Sequence, residues 1–382
     1  MRVLVWQWGR FGAGPRFAAL LADALAAVPG VSATLSLACG AEILRSDAPP
    51  YCDLPVRTYD GLAGFLARVA AAPFAVSRLA RRIEAARPDI AVCALAGPLD
   101  LMMAAALRRL GIPFVVLVHD AEAHSGDGFP LQMQLQRALC RRAVTVAALS
   151  SHVGDRLIRQ KFAGTRGRPL IRLRHPPMPY LVPPRHAGAG DTFRLLMFGR
   201  LLSYKGLDLL ADCLRRLGPR PELAVRIVGS GPDSAELSAL RALPGVTVEN
   251  RWVPENEVGG LLGWCDAVVL PYREATQSGV AAAALAANRY VVATNVGGLA
   301  EQLRHEPLAI LCEPDADSLA NGLRRVLDLP PDARSAAAIS PQAAWRDVAR
   351  LLADQLQPLL RAGSRQPVAG VLTGHTTADW SD

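Results

Sequence analysis

Two successive series of short apolar runs, each alternating with amphipathic segments, constrain the fold of this chain more than any other feature. Short, continuously apolar runs predict parallel strands buried on both faces, and the segments between them have helical spacing. The first series predicts strands at 3–6, 33–37, 90–95, 114–118 and 144–148. The second predicts strands at 194–198, 225–228, 246–248, 267–270, 290–293 and 308–311. We therefore expect an α/β protein with two doubly wound, Rossmann-like domains that face each other across a cleft.

Helical spacing and composition set the predicted boundaries of these domains. The predicted helices lie near 16–27, 62–86, 99–110, 130–142, 206–217, 233–242, 255–263, 278–287, 317–328 and 342–361. Pro73 interrupts the segment 62–86, which therefore predicts two short helices. The stretch 174–191 is rich in Pro, Gly and Ala and lacks periodicity, as a linker does. The predicted parts are an N-terminal domain at 1–175, a linker at 176–191, a C-terminal domain at 192–341, a last helix at 342–361 and a mobile tail at 362–382.

Composition disfavours several classes of protein. Of the 382 residues, 51% are hydrophobic and 20% are charged, as in a folded globular protein. No stretch reaches the ~20 uninterrupted apolar residues of a membrane-spanning helix, and the first residues predict a buried strand and not a signal peptide. Seven scattered cysteines without a C-x-x-C pair favour reduced thiols in the cytoplasm over disulfides or a zinc site.

The net charge of +8 is distributed unevenly. Residues 1–185 contain 23 Lys and Arg against 12 Asp and Glu, whereas the remainder contains 19 against 22. A basic half can attract phosphate, anionic lipid or nucleic acid, or it can be a solvated arginine-rich surface. Nucleic acid is not an expected partner, because the basic residues are not interleaved with aromatic ones.

The first candidate site follows the predicted strand 194–198. Arg200 and Lys205 flank a short loop before the next helix, and Lys205 is one of only two lysines in the chain. In doubly wound sheets, ligands bind at the carboxyl ends of strands beside helix N-termini. Two cations in that position predict a diphosphate-binding site; the alternative is a loop that carries two solvated charges.

The second candidate site is the polar stretch "YREATQSGV", residues 272–280, which follows the predicted strand 267–270. The helix after it is expected to present the N–H groups of Ser278, Gly279 and Val280 to the same diphosphate. Glu274 would repel phosphate, and a carboxylate there is suited to accept hydrogen bonds from sugar hydroxyls. Hydroxyls beside a diphosphate indicate a nucleotide sugar.

The first half contributes a glycine loop and a histidine. Gly12 and Gly14, in "WGRFGAGPRFA", are expected to line the cleft; the alternative is a structural turn, and the spacing does not fit a dinucleotide fingerprint. His119 directly follows the predicted strand 114–118, where it can either bind a sugar hydroxyl or cap the strand.

Two further interpretations of polar residues have less support from the sequence. One is a metal site formed by a local group of four residues, His119, Asp120, Glu122 and His124. Such a site would also need ligands from a second strand end. No metal is therefore predicted. The sequence "DAD" at 315–317 precedes a helical pattern, so Asp317 or Ser318 is predicted to be a helix N-cap.

Several stretches in the second half resemble glycosyltransferase family 4, whose members have the GT-B two-domain fold. They are "GRLLSYKG", "RIVGSGPD", "CDAVVLPYREATQSG", "VVATNVGGLAE" and "EPDADSLANGL". They cover nearly all of residues 192–328 in the family's order, and the first half resembles the family more loosely, in "GRFGAGPRFAALLADAL" and "VVLVHDAE". The resemblance implies retaining transfer from a nucleoside-diphosphate sugar, usually without a metal.

The resemblance also implies roles for individual residues. Arg200 and Lys205 would bind the diphosphate, and His119 would orient the donor sugar. Glu274 and the backbone from Gln277 to Val280 would hold the sugar and its phosphates. The backbone at Trp252 and Val253 would hold the base. The N-terminal domain would then be the acceptor side, and the C-terminal domain would bind the nucleotide sugar.

The chain departs from the family at two places. The family has two glutamates spaced as E-x7-E, of which the second grips the ribose; here Glu274 is present, but the second falls in "AAAA", residues 281–284. The usual Gly-x-Pro before the next strand is replaced by residues 288–290, Asn-Arg-Tyr. These departures put the ribose contact and the identity of the donor in question, and they motivate a non-catalytic relative as an alternative.

We therefore expect a retaining hexosyltransferase that needs no cofactor, because the nucleotide sugar is a co-substrate. Arg200, Lys205 and the helix N-terminus would stabilise the departing diphosphate. No carboxylate is placed for a covalent step, so attack from the side of the leaving group is favoured. The alternatives are a GT-B sugar-nucleotide epimerase or hydrolase and a non-catalytic binding protein.

The acceptor is expected to be a saccharide or a lipid-linked saccharide for an envelope polysaccharide or glycolipid. The segment 61–87 places an apolar stripe among arginines, and such a stripe can rest on an anionic membrane surface at about 1 kcal/mol per basic residue. Its apolar members are Leu66, Val69, Phe74, Val76, Leu79 and Ile83. The alternative is that the stripe packs into the N-terminal domain. The expected location is the cytoplasm, with peripheral association at the inner membrane as a hypothesis.

Overall fold

The computed structural model describes residues 1–122, 131–183, 192–329 and 340–363. Its N-terminal half forms a parallel six-stranded sheet with the order β2-β1-β3-β4-β5-β6. The strands are β1 (Arg2–Gln7), β2 (Ser32–Leu37), β3 (Ile90–Cys93), β4 (Phe114–Val118), β5 (Thr145–Ala148) and β6 (Ile171–Arg172). The helices are α1 (Ala13–Ala26), α2 (Gly61–Ala70), α3 (Ala72–Ala86), α4 (Asp100–Arg109), α5 (Gln132–Arg142) and α6 (Ser151–Arg159), with a 3-10 turn at Glu42–Arg45.

The C-terminal half forms a second parallel sheet with the order β12-β11-β10-β7-β8-β9. Its strands are β7 (Phe193–Phe198), β8 (Leu223–Gly229), β9 (Val246–Asn250), β10 (Ala267–Leu270), β11 (Tyr290–Thr294) and β12 (Ala309–Cys312). Its helices are α7 (Leu207–Leu217), α8 (Ala235–Arg241), α9 (Val258–Trp264), α10 (Gly279–Ala286), α11 (Gly297–Leu303) and α12 (Ala316–Leu327). Two 3-10 turns, Ser203–Lys205 and Glu255–Glu257, lie beside the cleft.

The predicted alternation of strands and helices is confirmed, and each of the eleven predicted strands overlaps an observed strand. The central strands β3, β4, β5 and β10 are buried along their whole length, because helices cover both faces of each sheet. Both sheets have the doubly wound order, in which the chain starts in the middle and then crosses to the other side. The prediction of two Rossmann-like domains is therefore correct.

The sequence reading missed three elements for local reasons. Strand β6 has only two residues, which is too short to show alternation. Helix α11 opens with Gly297 and Gly298, which have low helix propensity. Helix α6 follows β5 directly after a serine cap, and its nine residues carry a strong apolar stripe that the reading overlooked.

The segment 62–86 consists of two helices, as Pro73 predicted, although the break falls at Ala71. Pro73 lies in the first turn of α3, where a missing N–H has little cost. Helices α2 and α3 meet at a bend of 77°. In the described part of the chain no single helix is long and apolar enough to cross a membrane, and only this bent pair, taken together, has the length and composition to do so.

The last helix, α13 (Pro341–Gly363), returns to the N-terminal domain and packs against α1. Its buried residues Trp345, Val348 and Leu352 belong to the same apolar core as Phe17 and Leu21 of α1. The predicted linker is described only up to residue 183, and most of the predicted tail, residues 364–382, lies outside the described residues.

Candidate active site

A cavity of about 580 Å³ opens between the two domains. It is lined by the loops that follow β1 and β4 in one sheet and β7, β9 and β10 in the other. All of the site residues predicted from the sequence line this cavity: Gly12, Gly14, His119, Arg200, Lys205, Trp252, Val253, Glu274, Gln277, Ser278, Gly279 and Val280. The structure therefore brings together residues that are up to 268 positions apart in the chain, while their individual roles stay predictions.

Aromatic side chains hold the two predicted diphosphate-binding cations. Arg200 donates a hydrogen bond through Nη2 to the Tyr204 hydroxyl at 3.3 Å. The Nζ atom of Lys205 lies 3.7 Å from the centre of the Tyr272 ring, which is a cation–π contact. Burial raises the pKa of Tyr204 to about 12, so its hydroxyl stays protonated beside Arg200. Tyr204 and Tyr272 thus position the two cations at the cavity.

The position of Gly206, which directly follows Lys205, accepts only glycine. Its φ of 70° lies in the left-handed region. A Cβ atom at this position would come within 1.8 Å of the Pro271 carbonyl oxygen. Only glycine therefore allows the loop after β7 to approach the end of β10, and this approach places Lys205 next to Tyr272.

The N-terminus of α10 differs in one respect from the prediction. Ser278 is the N-cap, and its Oγ accepts a hydrogen bond from Ala281 N at 3.2 Å. The N–H of Ser278 donates to Gln302 Oε1 at 2.9 Å, and Gln302 Nε2 donates to the Ser278 carbonyl at 3.1 Å. The prediction that this N–H faces an anion is therefore wrong, because a side chain from α11 already accepts it. Gly279 and Val280, at the first helical positions, have no carbonyl one turn earlier to accept their N–H groups.

The polar stretch before α10 is divided between two surfaces. Arg273 does not line the cavity and instead forms an ion pair with Asp208 of α7. The exposed side chain of Glu274 points a carboxylate toward the cavity. The stretch therefore holds a structural ion pair on one side and presents Glu274, Thr276 and Gln277 to the cleft on the other.

His119 is fixed from both domains. Its Nε2 lies 3.1 Å from the Ala94 carbonyl oxygen, and its Nδ1 lies 2.6 Å from Gln277 Nε2 of the other domain. A carbonyl can only accept, so Nε2 carries the proton and Nδ1 accepts from the amide. Burial lowers the pKa of His119, so the ring is neutral at pH 7. The ring also packs edge-on against Phe17, with 5.2 Å between ring centres.

Further contacts close the cleft beside His119. Thr276 donates its hydroxyl proton to Asp120 Oδ1, and Ser150 Oγ donates to the Thr276 carbonyl at 3.2 Å. Asp120 therefore takes part in joining the domains. In the described residues no group of three or more His, Cys, Asp and Glu side chains is arranged to hold a metal ion. His124, which the metal alternative requires, lies outside the described residues.

The predicted base-binding end of the cleft is also built from both domains. Trp252 Nε1 donates a hydrogen bond to Glu42 Oε1 at 3.0 Å. The Trp252 ring meets Phe11 edge-on, with 5.8 Å between ring centres. Val253 lines the cavity next to them.

The two predicted glycines of the cleft loop serve different purposes. Gly12 has a φ of 77° and occupies the N-cap position of α1. At Gly14 a Cβ atom would lie 3.0 Å from both Gln7 Nε2 and Leu95 Cδ2, so this glycine allows close packing behind the cavity. The structural alternative thus accounts for both glycines, although both also line the cleft.

Sequence reasoning missed several cavity residues, among them His175 and Glu255. His175 lies in the proline-rich crossover between the domains, which the composition presented only as a linker. Its ring centre is 6.1 Å from that of His119, and burial lowers the pKa of His175 to about 3. Glu255, on the other domain, forms an ion pair with Arg16 of α1, and neither residue stood out from its neighbours in sequence.

Two facing Rossmann-like domains that share one cleft define the GT-B class. Over nearly the whole chain the structure is similar to sucrose-phosphate synthase from Thermosynechococcus elongatus, with a TM-score of 0.61 at 16% identity, covering 94% of this chain and 99% of that one. It is also similar to the UDP-GlcNAc 2-epimerase from Neisseria meningitidis, with a TM-score of 0.55 at 10% identity, covering 94% and 100%. At these identities the likeness establishes the fold alone.

Sequence comparison then identifies the family. The family model described as "Glycosyl transferases group 1" matches residues 192–328, and the model "Glycosyltransferase Family 4" matches residues 16–169. The chain therefore belongs to the group 1, or family 4, glycosyltransferases. Glycogen synthase from Mycobacterium tuberculosis is 28% identical over 272 residues, which cover 67% of this chain. The chain spans slightly less than two thirds, 65%, of that relative's length.

Proposed function

We propose that this glycosyltransferase moves a hexose from a nucleoside-diphosphate sugar to a hydroxyl of an acceptor, with retention of configuration. The observation that carries the proposal is the meeting of Arg200, Lys205 and the N-terminus of α10 at one cavity with Glu274 and His119. Two cations and free helix N–H groups suit a diphosphate, and a carboxylate and a neutral imidazole suit sugar hydroxyls. The donor is a co-substrate, and the proposed reaction needs no resident cofactor or metal.

The proposed chemistry is a displacement on the side of the leaving group. The bond between the anomeric carbon and the diphosphate oxygen breaks, and the sugar gains oxocarbenium character. Arg200, Lys205 and the N–H groups of Gly279 and Val280 stabilise the charge that develops on the diphosphate. The acceptor oxygen then bonds to the anomeric carbon on the same face, and its proton passes to the departing phosphate oxygen. His119 and Glu274 orient the sugar.

The tautomer of His119 supports its role as a hydroxyl ligand. With its proton on Nε2 and bound to Ala94, the ring can offer the cleft only the Nδ1 lone pair. Gln277 occupies this lone pair at 2.6 Å, so a sugar hydroxyl would replace the Gln277 amide or share the site with it. The Oε1 atom of Gln277 is buried without a hydrogen-bond partner, so the same amide can accept a hydrogen bond from a sugar hydroxyl.

One alternative has a specific observation in its favour. The fold is shared with UDP-GlcNAc 2-epimerase, and such an enzyme would transform the donor without an acceptor. Incubating the full chain with a panel of radiolabelled nucleotide sugars, with and without saccharide acceptors, separates the reactions. Transfer predicts turnover only with an acceptor. Turnover of the donor alone would favour the epimerase or hydrolase, and no turnover with retained nucleotide binding would favour a non-catalytic member.

We also propose that the acceptor is attached to lipid and that the N-terminal domain rests on the cytoplasmic face of an anionic membrane. None of the ten residues of α2 is buried, although the helix is mostly apolar. Leu62, Leu66, Val69 and Phe74 are 75%, 59%, 48% and 84% exposed. The predicted stripe is thus divided, because Leu79 and Ile83 pack into the core. The packing alternative is correct for those two residues and wrong for Leu66, Val69 and Phe74.

Arginines on α3 supply the charge that an anionic surface requires. Arg78 and Arg81 are exposed on α3, the helix that also carries Phe74, and Arg82 is exposed while it donates to the Pro55 carbonyl at 2.8 Å. Exposed apolar side chains beside several arginines suit insertion into the headgroup region. An enzyme at this surface would have access to an acceptor for envelope polysaccharide or glycolipid synthesis.

Co-sedimentation with liposomes tests this surface. The wild type is expected to sediment with vesicles of anionic lipid at low salt, and to be released at high salt because the arginine contribution is screened. Leu66→Ser with Phe74→Ser should abolish sedimentation, whereas Leu351→Ser, which changes an exposed leucine of α13, should not. If the wild type stays in the supernatant at low salt, the membrane proposal is wrong and a soluble acceptor is favoured.

A further inference from the structure

One oxygen of the Glu42 carboxylate has no hydrogen-bond donor among the described residues of the cleft. Glu42 starts the 3-10 turn after β2 and lines the cavity. Its Oε1 accepts from Trp252 Nε1, but its Oε2 is buried and has no hydrogen-bond partner. Within the described residues Glu42 forms no ion pair. A buried acceptor without a donor is destabilising, and more so when it is charged, so this atom suits a ligand that donates a hydrogen bond.

Neighbouring cations are committed elsewhere. Arg16, which approaches the same region from α1, pairs with Glu255 and donates to the Pro179 carbonyl at 3.0 Å. Arg10, whose carbonyl accepts the Glu42 N–H at 2.8 Å, directs its guanidinium to Asp60. The nearby carboxylate of Glu255 repels that of Glu42. Burial is the main cause of the raised pKa of Glu255, and the negative charge of Glu42 raises this pKa further. In the described part of the chain, Glu42 is therefore provided with one indole N–H and no cation.

The surroundings of Glu42 suit a flat, apolar ring. Phe11 and Trp252 meet edge-on beside it and remain 57% and 42% exposed, although both are large aromatic residues. Together the two rings and the carboxylate form a surface with apolar walls and one acceptor edge. A planar heterocycle that carries N–H donors would cover the rings and satisfy Oε2.

We propose that Glu42 reads the nucleobase of the donor and selects guanine. Guanine presents two adjacent donors, N1–H and the 2-amino group, and a carboxylate can accept both. Uracil presents one N–H between two carbonyl oxygens, which a carboxylate repels, and adenine presents one donor next to an acceptor nitrogen. Hydrogen bonds to a charged acceptor are stronger than those between neutral groups, so the preference is steep.

This inference rests on the proposed function and deepens it by naming the donor class as a guanosine-diphosphate sugar. Glu42 belongs to the N-terminal domain, whereas Trp252 belongs to the C-terminal domain. The base is therefore read only when both domains adopt the arrangement seen here. In this way the acceptor-side domain takes part in selecting the donor.

Isothermal titration calorimetry of the full chain with GDP, IDP, UDP and ADP tests the inference. IDP is GDP without the 2-amino group, so it removes one of the two donors and leaves the rest of the ligand unchanged. The wild type is expected to bind GDP about tenfold or more tightly than IDP, and UDP and ADP more weakly still. Glu42→Gln keeps the shape of the side chain and an oxygen for Trp252. This variant should bind GDP more weakly than the wild type does, with an affinity no higher than its affinity for IDP. Glu84→Gln, the same change on exposed α3, should alter none of the four affinities.

Three outcomes would overturn the inference. Equal affinity of the wild type for GDP and UDP would contradict guanine selection while leaving the transferase proposal intact. An equal loss of all four ligands in Glu42→Gln would show that Glu42 only holds Trp252 in place. Failure of every nucleoside diphosphate to bind the folded wild type would overturn the proposed function, and this inference with it.

Discussion

The two domains share one architecture but differ in how their helices begin and in which parts of the chain form their cores. Three helices of the C-terminal domain begin with a serine or aspartate that caps the helix through its side chain: Ser234, Ser278 and Asp315. Among the described helices α1 to α6 of the N-terminal domain, only α6, capped by Ser150, begins in this way. The C-terminal domain is thus specified locally, because the buried residues of its core come from its own strands and helices and their connecting segments. Tyr180 and Val182 of the crossover pack against this core from outside.

The N-terminal domain is completed by a segment from the far end of the chain. Helix α13 closes its core, and Trp345 packs edge-on against Phe17 with 5.1 Å between ring centres. Phe17 in turn packs against His119 in the cleft. The difference predicts that the C-terminal domain is stabilised mainly by its own contacts, whereas the N-terminal domain also depends on contacts with a helix distant in sequence.

Among the changes that test this difference between the domains, removing Trp345 should cause the largest loss of stability. Trp345 is 4% exposed, and its Nε1 donates to the Pro177 carbonyl at 2.8 Å. We expect Trp345→Ala to lower the free energy of unfolding of the N-terminal domain by about 3–5 kcal/mol, because it leaves a cavity and an unpaired carbonyl. Hydrogen exchange followed by mass spectrometry would detect faster exchange in β1 and α1 with little change in β7 and β8.

The control for this experiment is Leu351→Ala on the same helix. Leu351 is 43% exposed, so its removal should cost about 0.5 kcal/mol or less. If Trp345→Ala loosens both domains equally, the idea that α13 belongs to the N-terminal domain alone is wrong.

Removing Lys205 tests the donor side. We expect Lys205→Ala to reduce kcat roughly 30- to 1000-fold, which corresponds to a loss of about 2–4 kcal/mol of transition-state stabilisation. The reason is that the charge of Lys205 matters most as the diphosphate departs. The fold should survive, since Lys205 is itself only partly buried and its cation–π contact with Tyr272 is not part of the apolar core. Steady-state kinetics with the donor found in the panel measures the effect.

The only other lysine provides a matched control. Lys161 is exposed at the end of α6 and has a φ of 62°, so Lys161→Gly removes the charge without backbone strain. Its kinetics should equal those of the wild type. Unchanged kinetics in a folded Lys205→Ala would contradict the diphosphate assignment.

A buried acid in the N-terminal domain predicts a pH dependence of its stability. Asp100 is 1% exposed, and burial raises its pKa to about 7, although Gly97 N donates to its Oδ2 at 2.7 Å. The unfolded carboxyl titrates near pH 4, so between roughly pH 4 and 7 the folded state holds one proton more than the unfolded state. The free energy of unfolding should therefore fall as pH rises through this window, by at most about 1.4 kcal/mol per pH unit.

Urea titrations between pH 5 and pH 7 would measure this slope. Asp100→Asn cannot titrate, and it should remove the falling contribution and leave the other groups unchanged. If the slope of the wild type and of Asp100→Asn is the same, Asp100 ionises normally in the folded protein and the prediction is wrong.

The sequence predicted the sheets and the cleft residues well because each depends on local patterns. An apolar run such as 267–270 indicates a buried strand wherever it is placed, and polar residues just after strands must meet at the carboxyl edge of the sheet. Arg200, Lys205 and Glu274 were found by this rule.

Contacts made by distant residues could not be found in this way. The N–H of Ser278 is accepted by Gln302, and Trp252 is bound by Glu42, which lies 210 positions away. His175 lies in a segment without secondary structure, and it lines the cavity because the two domains face each other there. Pairing across domains leaves no periodic signal, so each partner looks like an ordinary polar residue.

The smallest predicted effect concerns a helix cap, and it also corrects an expectation from the sequence. Asp317 or Ser318 was expected to cap α12, but the N-cap is Asp315, whose Oδ1 accepts from Ser318 N at 2.8 Å. Ser318 Oγ accepts from Glu313 N at 2.9 Å, so the two side chains fix the start of the helix together. Asp317 lies within the first turn and forms an exposed ion pair with Arg216.

Asp315→Ala should therefore lower the free energy of unfolding of the C-terminal domain by about 1 kcal/mol, because a backbone N–H loses its acceptor. Asp317→Ala should cost about 0.5 kcal/mol or less, since exposed ion pairs contribute little. Urea unfolding of both variants under the same conditions gives the comparison. If Asp317→Ala proves the more damaging of the two, the start of α12 is held by its ion pair and not by its cap. The contrast between a locally capped C-terminal domain and a remotely completed N-terminal domain would then lose one of its supports.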